Sequence, residues 1–268
     1  CGEYPDRFIP LGIVPSWDRA AMIAEIKRLA ERGCHAVTMP ELPHLEGTPS
    51  YHDLDYWGPV WQTFVDCDTT MCLHIGSGFG VLNLAPNAPI DNLMVLACQI
   101  STITAQDLLW GPAFRTFPKL RVAFSEGGIG WIPFFLDRCD RHYTNQRWLR
   151  RDFGDKLPSQ VFREHALACY VTDKTAIKNR HDVGIDNIAW ECDFPHSDSM
   201  WPDAPEQVMS ELSAGGCTDE EIDKITWSNA SRFFNWDPFK GKSRDQINVG
   251  ALRARATDVD TSIRSRKD

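Results

Sequence analysis

Three apolar runs in this chain end on a residue that can hold a metal ion or move a proton. Met71-Cys72-Leu73 leads to His74, Val122-Ala123-Phe124-Ser125 to Glu126, and Ala189-Trp190-Glu191-Cys192 to Asp193. A neutral imidazole nitrogen and an ionised carboxylate both ligate divalent cations, and a carboxylate beside such an ion can also take a proton. Each run is followed by a loop and then a helical pattern. In a parallel β/α barrel that is where the chemistry sits, at the carboxyl ends of the strands.

The surrounding residues add candidates. Asp193 opens Phe194-Pro195-His196-Ser197-Asp198, a polar strand-to-helix turn in which His196, Ser197 and Asp198 can orient Asp193 or a substrate. Glu191 lies two residues before Asp193, so strand alternation points both to one side. Glu41 ends the second strand-like run and is a further mouth-facing acid. Glu126 precedes Gly127-Gly128-Ile129-Gly130, where glycines allow close backbone approach and the following helix start favours an anion. That spacing matches neither a P-loop nor a dinucleotide fingerprint. The remaining histidines fall on helices, loops or strand starts and read as packing or surface groups.

These residues need a scaffold, and the apolar periodicity supplies one. Strand-like runs at 7–14, 36–39, 70–75, 120–126, 166–171 and 188–193 alternate with helical patterns. The helical patterns lie near 18–32, 57–65, 91–117, 130–141, 174–181, 204–213 and 218–234. Gly111-Pro112 interrupts the third, and Pro59 is compatible only with the first turn of the second. Six alternations predict a parallel sheet covered by helices, two strands short of a closed (β/α)₈ barrel. With Cys1 rather than Met at the start, the expectation is an amino-terminal truncation that removes the first two strands. Residues 1–239 then form an incomplete barrel domain. Residues 240–268, polar and without sustained periodicity, are expected to be a disordered tail.

Composition narrows the partners. With 268 residues, 43% of them hydrophobic, the chain is able to bury a large core, and a formal net charge of −9 disfavours nucleic acid or an anionic membrane as partner. No run approaches the roughly 20 apolar residues of a membrane span. The nine cysteines form no C-x-x-C pair and sit mostly in apolar runs, a pattern that favours reduced thiols and a cytoplasmic setting.

The succession Pro5-Asp6-Arg7-Phe8, Leu73-His74, Phe124-Ser125-Glu126-Gly127-Gly128-Ile129-Gly130-Trp131-Ile132-Pro133 and Cys192-Asp193-Phe194-Pro195-His196-Ser197-Asp198 resembles the amidohydrolase-related family that includes aminocarboxymuconate-semialdehyde decarboxylase. The likeness spans roughly residues 1–236. It implies a distorted TIM barrel holding one divalent metal, zinc first and manganese second, with His74 and Asp193 as ligands. It further implies a homodimer that acts on a small carboxylic acid, aromatic or enoic, as a non-oxidative carboxy-lyase, with hydrolysis of a related bond as the alternative. Asp193 and Glu126 take the catalytic positions in that reading. A non-catalytic barrel kept for assembly or ligand binding is a third reading. Two departures stand out: the family's first-strand His-x-His is absent from this chain, and Glu126 stands where the decarboxylases typically carry a histidine.

Overall fold

In the computed structural model, which describes residues 6–77, 85–149 and 152–260, six short strands lie parallel and side by side in sequence order. They are β1 (Gly12–Ile13), β2 (Ala36–Met39), β3 (Thr70–His74), β4 (Val122–Ser125), β5 (Ala166–Tyr170) and β6 (Ile188–Trp190). This is the wall of a β/α barrel, as the alternating pattern predicts, with shorter strands than the apolar runs suggested.

Strand alternation divides the wall into two faces. Val37, Met39, Met71, Leu73, Val122, Phe124, Ala168 and Tyr170 join the main core under the helices. Ala36, Cys72, Ala123, Leu167, Cys169 and Ala189 form a separate inner cluster, against which Ile9, Phe233 and Phe234 pack. The register aligns Thr38, Cys72, Ala123 and Leu167 across four strands. Two residues further along, His74 pairs with Ser125. The inner face is thus lined mainly by small side chains that lead up to His74 on one strand and Glu191 on another.

The helices follow from local signals. Asp18 caps α1 (Arg19–Glu31) by accepting from Ala21 N at 3.0 Å. Gly33, at φ +79°, turns the chain out of it. Asp53 caps α2 (Leu54–Asp66) in the same way, and Trp57, Trp61 and Phe64 on its inner side are fully buried. Pro59 lies well inside α2, beyond the first turn expected for it. Its missing N–H leaves the carbonyl of Asp55 without a helical donor, and Arg19 Nη1 donates to that oxygen at 3.1 Å.

The long helical stretch before β4 is three helices, α3 (Ile90–Leu96), α4 (Cys98–Trp110) and α5 (Ala113–Thr116), with the last break at Gly111-Pro112 as expected. Together α3 and α4 are apolar enough to span a membrane as a bent pair. However, Ile100, Leu108 and Leu109 of α4 are buried in the protein core. No single described helix is long and apolar enough to cross a bilayer. Between β4 and β5 lie α6 (Ile132–Asn145) and α7 (Pro158–His165), the latter without a counterpart in the apolar pattern.

Beyond β5 come α8 (Lys174–Lys178) and α9 (Arg180–Val183), and beyond β6 come α10 (Ala204–Ala214), α11 (Asp219–Asp223) and α12 (Asn229–Phe233). The last two were expected as one helix and are joined by a π-helical turn over Lys224–Ser228. Asn229, fully buried, donates to the carbonyls of Ile185 and Ile188 at 2.8 Å each and ties α12 to the start of β6. Residues 261–268 of the disordered tail expected over 240–268 lie outside the described residues, and the segment 240–260 differs from that expectation. It carries α13 (Arg244–Ile247) and α14 (Val249–Arg255), held by ion pairs from Arg244 to Asp223 and from Arg253 to Glu206. Local polarity hid these helices because their anchors lie on α10 and α11. The eight cysteines among the described residues are all unpaired.

One ion pair in this scaffold is largely enclosed. Arg180 donates to Glu221 at 2.8 Å and to the carbonyls of Ile177, Gly215 and Gly216. The Arg180 guanidinium holds the Glu221 carboxyl down at about 2 against the opposing effect of burial, helped by the Thr218 N–H and His181. A carboxyl lowered in the folded state stabilises it above the ordinary value of 4.5, and that contribution fades as pH falls from there toward 2. Glu221→Gln is therefore expected to cost about 1–2 kcal/mol at pH 7. In urea titrations the gap to the unmodified protein should narrow steadily below pH 4.5.

Candidate metal centre

The carboxyl ends of β2, β3, β4 and β6 bring four acids and two imidazoles to one rim. His74 is the last residue of β3. Its Nδ1 lies 2.7 Å from the carbonyl of Ile75, so Nδ1 holds a proton, and its Nε2 lies 2.6 Å from Glu126 Oε1. Burial works to lower the His74 pKa, but the Ile75 carbonyl and the Glu126 carboxylate outweigh it and raise the group above its ordinary value.

Glu126 and Asp193 each follow a strand with left-handed backbone, at φ +59° and +56°. Few non-glycine residues adopt that conformation, and here it turns both carboxylates toward one another across the rim. The Glu126 N–H donates to Glu191 Oε1 at 2.6 Å, which fixes the β4 turn to the end of β6. Burial and the neighbouring Asp193 carboxylate raise the Glu126 pKa, against the pull of His74. On the far side, Asp193 Oδ2 lies 2.6 Å from His196 Nδ1, and this contact raises the His196 pKa.

The remaining acids lie deeper. Glu191 is pushed up to about 7, chiefly by burial, with the Glu126 N–H opposing. Glu41, fully buried, is also pushed up to about 7 by burial, while bonds from Ser101 Oγ and the Gly76 N–H work the other way. Near neutral pH both acids are therefore partly protonated, which relieves some of the repulsion among four neighbouring carboxyls.

Glu126, Asp193 and His196 each offer a ligand atom, all within 4.8 Å of one another. Two carboxylate oxygens and one imidazole nitrogen suit zinc or manganese, and the surplus of acid over base at the rim favours a cation. Of the pair that the sequence singled out as ligands, Asp193 belongs to this group and His74 stands beside it, bonded to Glu126. Ser197 and Asp198 are exposed, and the partner that orients Asp193 is His196. Asp198 acts only through its charge on His196.

The glycine turn after Glu126 does receive an anion, but it is the protein's own. Asp173 Oδ2 accepts from Ile129 N at 3.1 Å and Gly130 N at 2.7 Å, while its Oδ1 caps α8 at Ala176 N. Asp173 and Ser101 are the supporting residues that sequence reasoning missed. Asp173 carried a visible signal, as an acid just ahead of a helical run. Ser101, in the middle of α4, carried none.

The amidohydrolase family model matches residues 1–236. No curated protein matches the chain significantly. Among solved structures, an amidohydrolase from Mycobacterium avium subsp. paratuberculosis K-10 superposes with a TM-score of 0.65 at 18% identity, over 83% of this chain and 57% of its own length. The 2,6-dihydroxybenzoate decarboxylase from Rhizobium gives 0.65 at 21% identity, over 88% of this chain and 73% of that one. A dihydroxybenzoic acid decarboxylase from Polaromonas sp. JS666, solved with manganese and 2-nitroresorcinol, gives 0.67 at 19% identity, over 87% and 71%. At these identities the likeness establishes the fold. The chain spans little more than half the length of the first of them.

Because Asp173 joins the turn after β4 to the start of α8, Asp173→Ala should leave three backbone N–H groups without their acceptor and lower stability by about 1–3 kcal/mol. Thermal melts would register this, and an unchanged midpoint would dissociate Asp173 from the turn's support.

Proposed function

The chain belongs to the amidohydrolase family, and from that premise we propose that it works as a metal-dependent, non-oxidative carboxy-lyase on a small aromatic or enoic acid. The observation that carries this reading is the convergence of Glu126, Asp193 and His196 on one point of the barrel rim, with His74 bonded to Glu126. Structural relatives that decarboxylate dihydroxybenzoates, one of them with manganese bound, support it.

In this proposal Asp193 and His196, with Glu126 or His74 beside them, would hold the ion. Zinc is the first candidate and manganese the second. A divalent cation at this point supplies positive charge that binds a substrate carboxylate and withdraws electron density from the carbon bearing it. The chain's own groups do the rest. Glu126, whose proton is favoured by burial and by Asp193, delivers it from its carboxyl oxygen to the substrate carbon. As the bond to the carboxylate breaks, its electron pair stays on that carbon, the proton joins it, and carbon dioxide leaves. Asp193, within 4.8 Å of Glu126, passes a solvent proton back to it. Glu191 holds the Glu126 backbone in place throughout. The same arrangement includes a homodimer, as the family resemblance implies.

Hydrolysis of a C–N, C–O or C–C bond on the same scaffold is the second reading, favoured by one observation. Glu126 is an acid where the decarboxylases typically carry a histidine, and an acid beside a cation can equally deprotonate an attacking water.

The test uses the full chain loaded with zinc or manganese, and hydroxybenzoates and enoic acids in deuterated solvent. The expected result is about one ion per chain and carbon dioxide release, with one deuterium on the vacated carbon. Asp193→Asn should lower turnover at least about 100-fold. Two product fragments, one of them carrying ¹⁸O in labelled water, would assign the site to hydrolysis instead, and a chain that takes up neither ion would defeat both readings.

A further inference from the structure

Glu41 is the one acid at the rim with no part in the chemistry above, yet its side chain is wholly buried. Its Oε1 accepts from Ser101 Oγ at 2.7 Å, the nearby Gly76 N–H helps to hold the carboxyl's pKa down, and its Oε2 is buried without a partner among the described residues. Burying an acid with an oxygen left over is costly, so the position needs a reason other than stability.

The neighbours supply one. Gly76 lies two residues beyond His74, in the turn that leaves β3. A further bond, from Ser77 Oγ to the carbonyl of Met39 at 3.4 Å, draws that turn toward the end of β2. Ser101, on α4, faces a second turn. A Cβ added at Gly127 would lie 2.6 Å from Ser101 Oγ and 2.9 Å from its Cβ, so the backbone one residue past Glu126 rests directly on this serine. Glu41 and Ser101 therefore lie between the turn that carries His74, which Ser77 ties to the β2 end just before Glu41, and the turn that carries Glu126, which rests on Ser101; the His74 and Glu126 side chains meet at 2.6 Å.

We propose that Glu41 is a positioning residue for this centre: with Ser101 it forms a wedge between the β3 and β4 turns that sets the spacing of His74 and Glu126. The role is that of a hydrogen-bond acceptor of fixed length, so glutamine serves in it and leucine does not. It also gives the glycine after Glu126 a steric reason, because any side chain there displaces Ser101 from Glu41. The wedge rests on the proposed metal site only for its functional consequence; its geometry stands independently.

Four variants of the full chain test it, Glu41→Gln, Glu41→Leu, Ser101→Ala and Gly127→Ala, each measured by Mn²⁺ titration and by crystal structure without metal. Glu41→Leu and Gly127→Ala are expected to raise the Mn²⁺ dissociation constant about tenfold or more, the loss usual when an outer partner of a ligand is removed. Their metal-free structures should show His74 Nε2 and Glu126 Oε1 beyond hydrogen-bond distance. Ser101→Ala should produce a smaller effect in the same direction, and Glu41→Gln should stay within about twofold of the unmodified protein. Glu41→Leu should melt within a few degrees of it, since removal of a half-satisfied buried acid offsets the lost bonds. The proposal is overturned if His74 and Glu126 remain in contact in folded Glu41→Leu and Gly127→Ala, or if Glu41→Gln behaves like Glu41→Leu, which would make charge rather than geometry the function. Should the unmodified chain bind no Mn²⁺, the metal reading fails, while the His74 to Glu126 distance still decides the wedge.

Discussion

The close approach of the Glu126 and Asp193 carboxylates, whose oxygens lie within 4.8 Å of one another and of a His196 nitrogen, is the constraint on which the rest of the rim depends. Two carboxylates brought together at the mouth of a barrel repel unless a proton or a cation lies between them. Each is flanked by an imidazole at 2.6 Å, His74 on one side and His196 on the other, and each is turned inward by a left-handed backbone. Such an arrangement stores repulsion and strain, and it persists because the surrounding strands determine it from several directions at once.

The β-sheet register provides that determination. Pairing of His74 with Ser125 places the ends of β3 and β4 at one height, so the next residue, Glu126, comes within reach of His74. Pairing of Tyr170 with Trp190 does the same for β5 and β6, and Glu191 then reaches the Glu126 N–H. A slip of one residue on any strand would send its rim residue to the helical side. The inner face below the rim is built of Ala36, Cys72, Ala123, Cys169 and Ala189 with one larger residue, Leu167, and most of the larger side chains go to the outer core. Bulk is concentrated instead under α2, where Tyr51, Trp57 and Trp61 pack at centroid distances of 4.9 to 6.5 Å.

Supporting groups are where sequence and structure part most clearly. An anion at the glycine turn was legible from its spacing, but Asp173, 43 residues beyond Gly130, turned out to be its source. Pro59 looked out of place inside a helix until Arg19 reached across from α1 to the carbonyl that proline leaves free. The polar segment after residue 240 read as tail because its stabilising acids, Asp223 and Glu206, belong to other helices. In each case the partner is distant along the chain, and no local pattern encodes it.

By itself the sequence determined the alternation of strands and helices, the parallel sheet, and the identities of the rim residues, since apolar periodicity and strand parity are local properties of the backbone. His74, Glu126, Glu191, Asp193, His196 and Glu41 could all be named in this way. Only the tertiary structure decided how they are grouped: that Glu126 stands between His74 and Asp193, that His196 rather than Ser197 or Asp198 holds Asp193, and that Glu41 is sealed beneath Ser101. The His74–Glu126 and Glu41–Ser101 contacts join residues 52 and 60 positions apart on different elements, and such distances exist only once the strands have paired and α4 has packed on them; the His196–Asp193 contact is local, but the turn that makes it is set by the strand end it leaves.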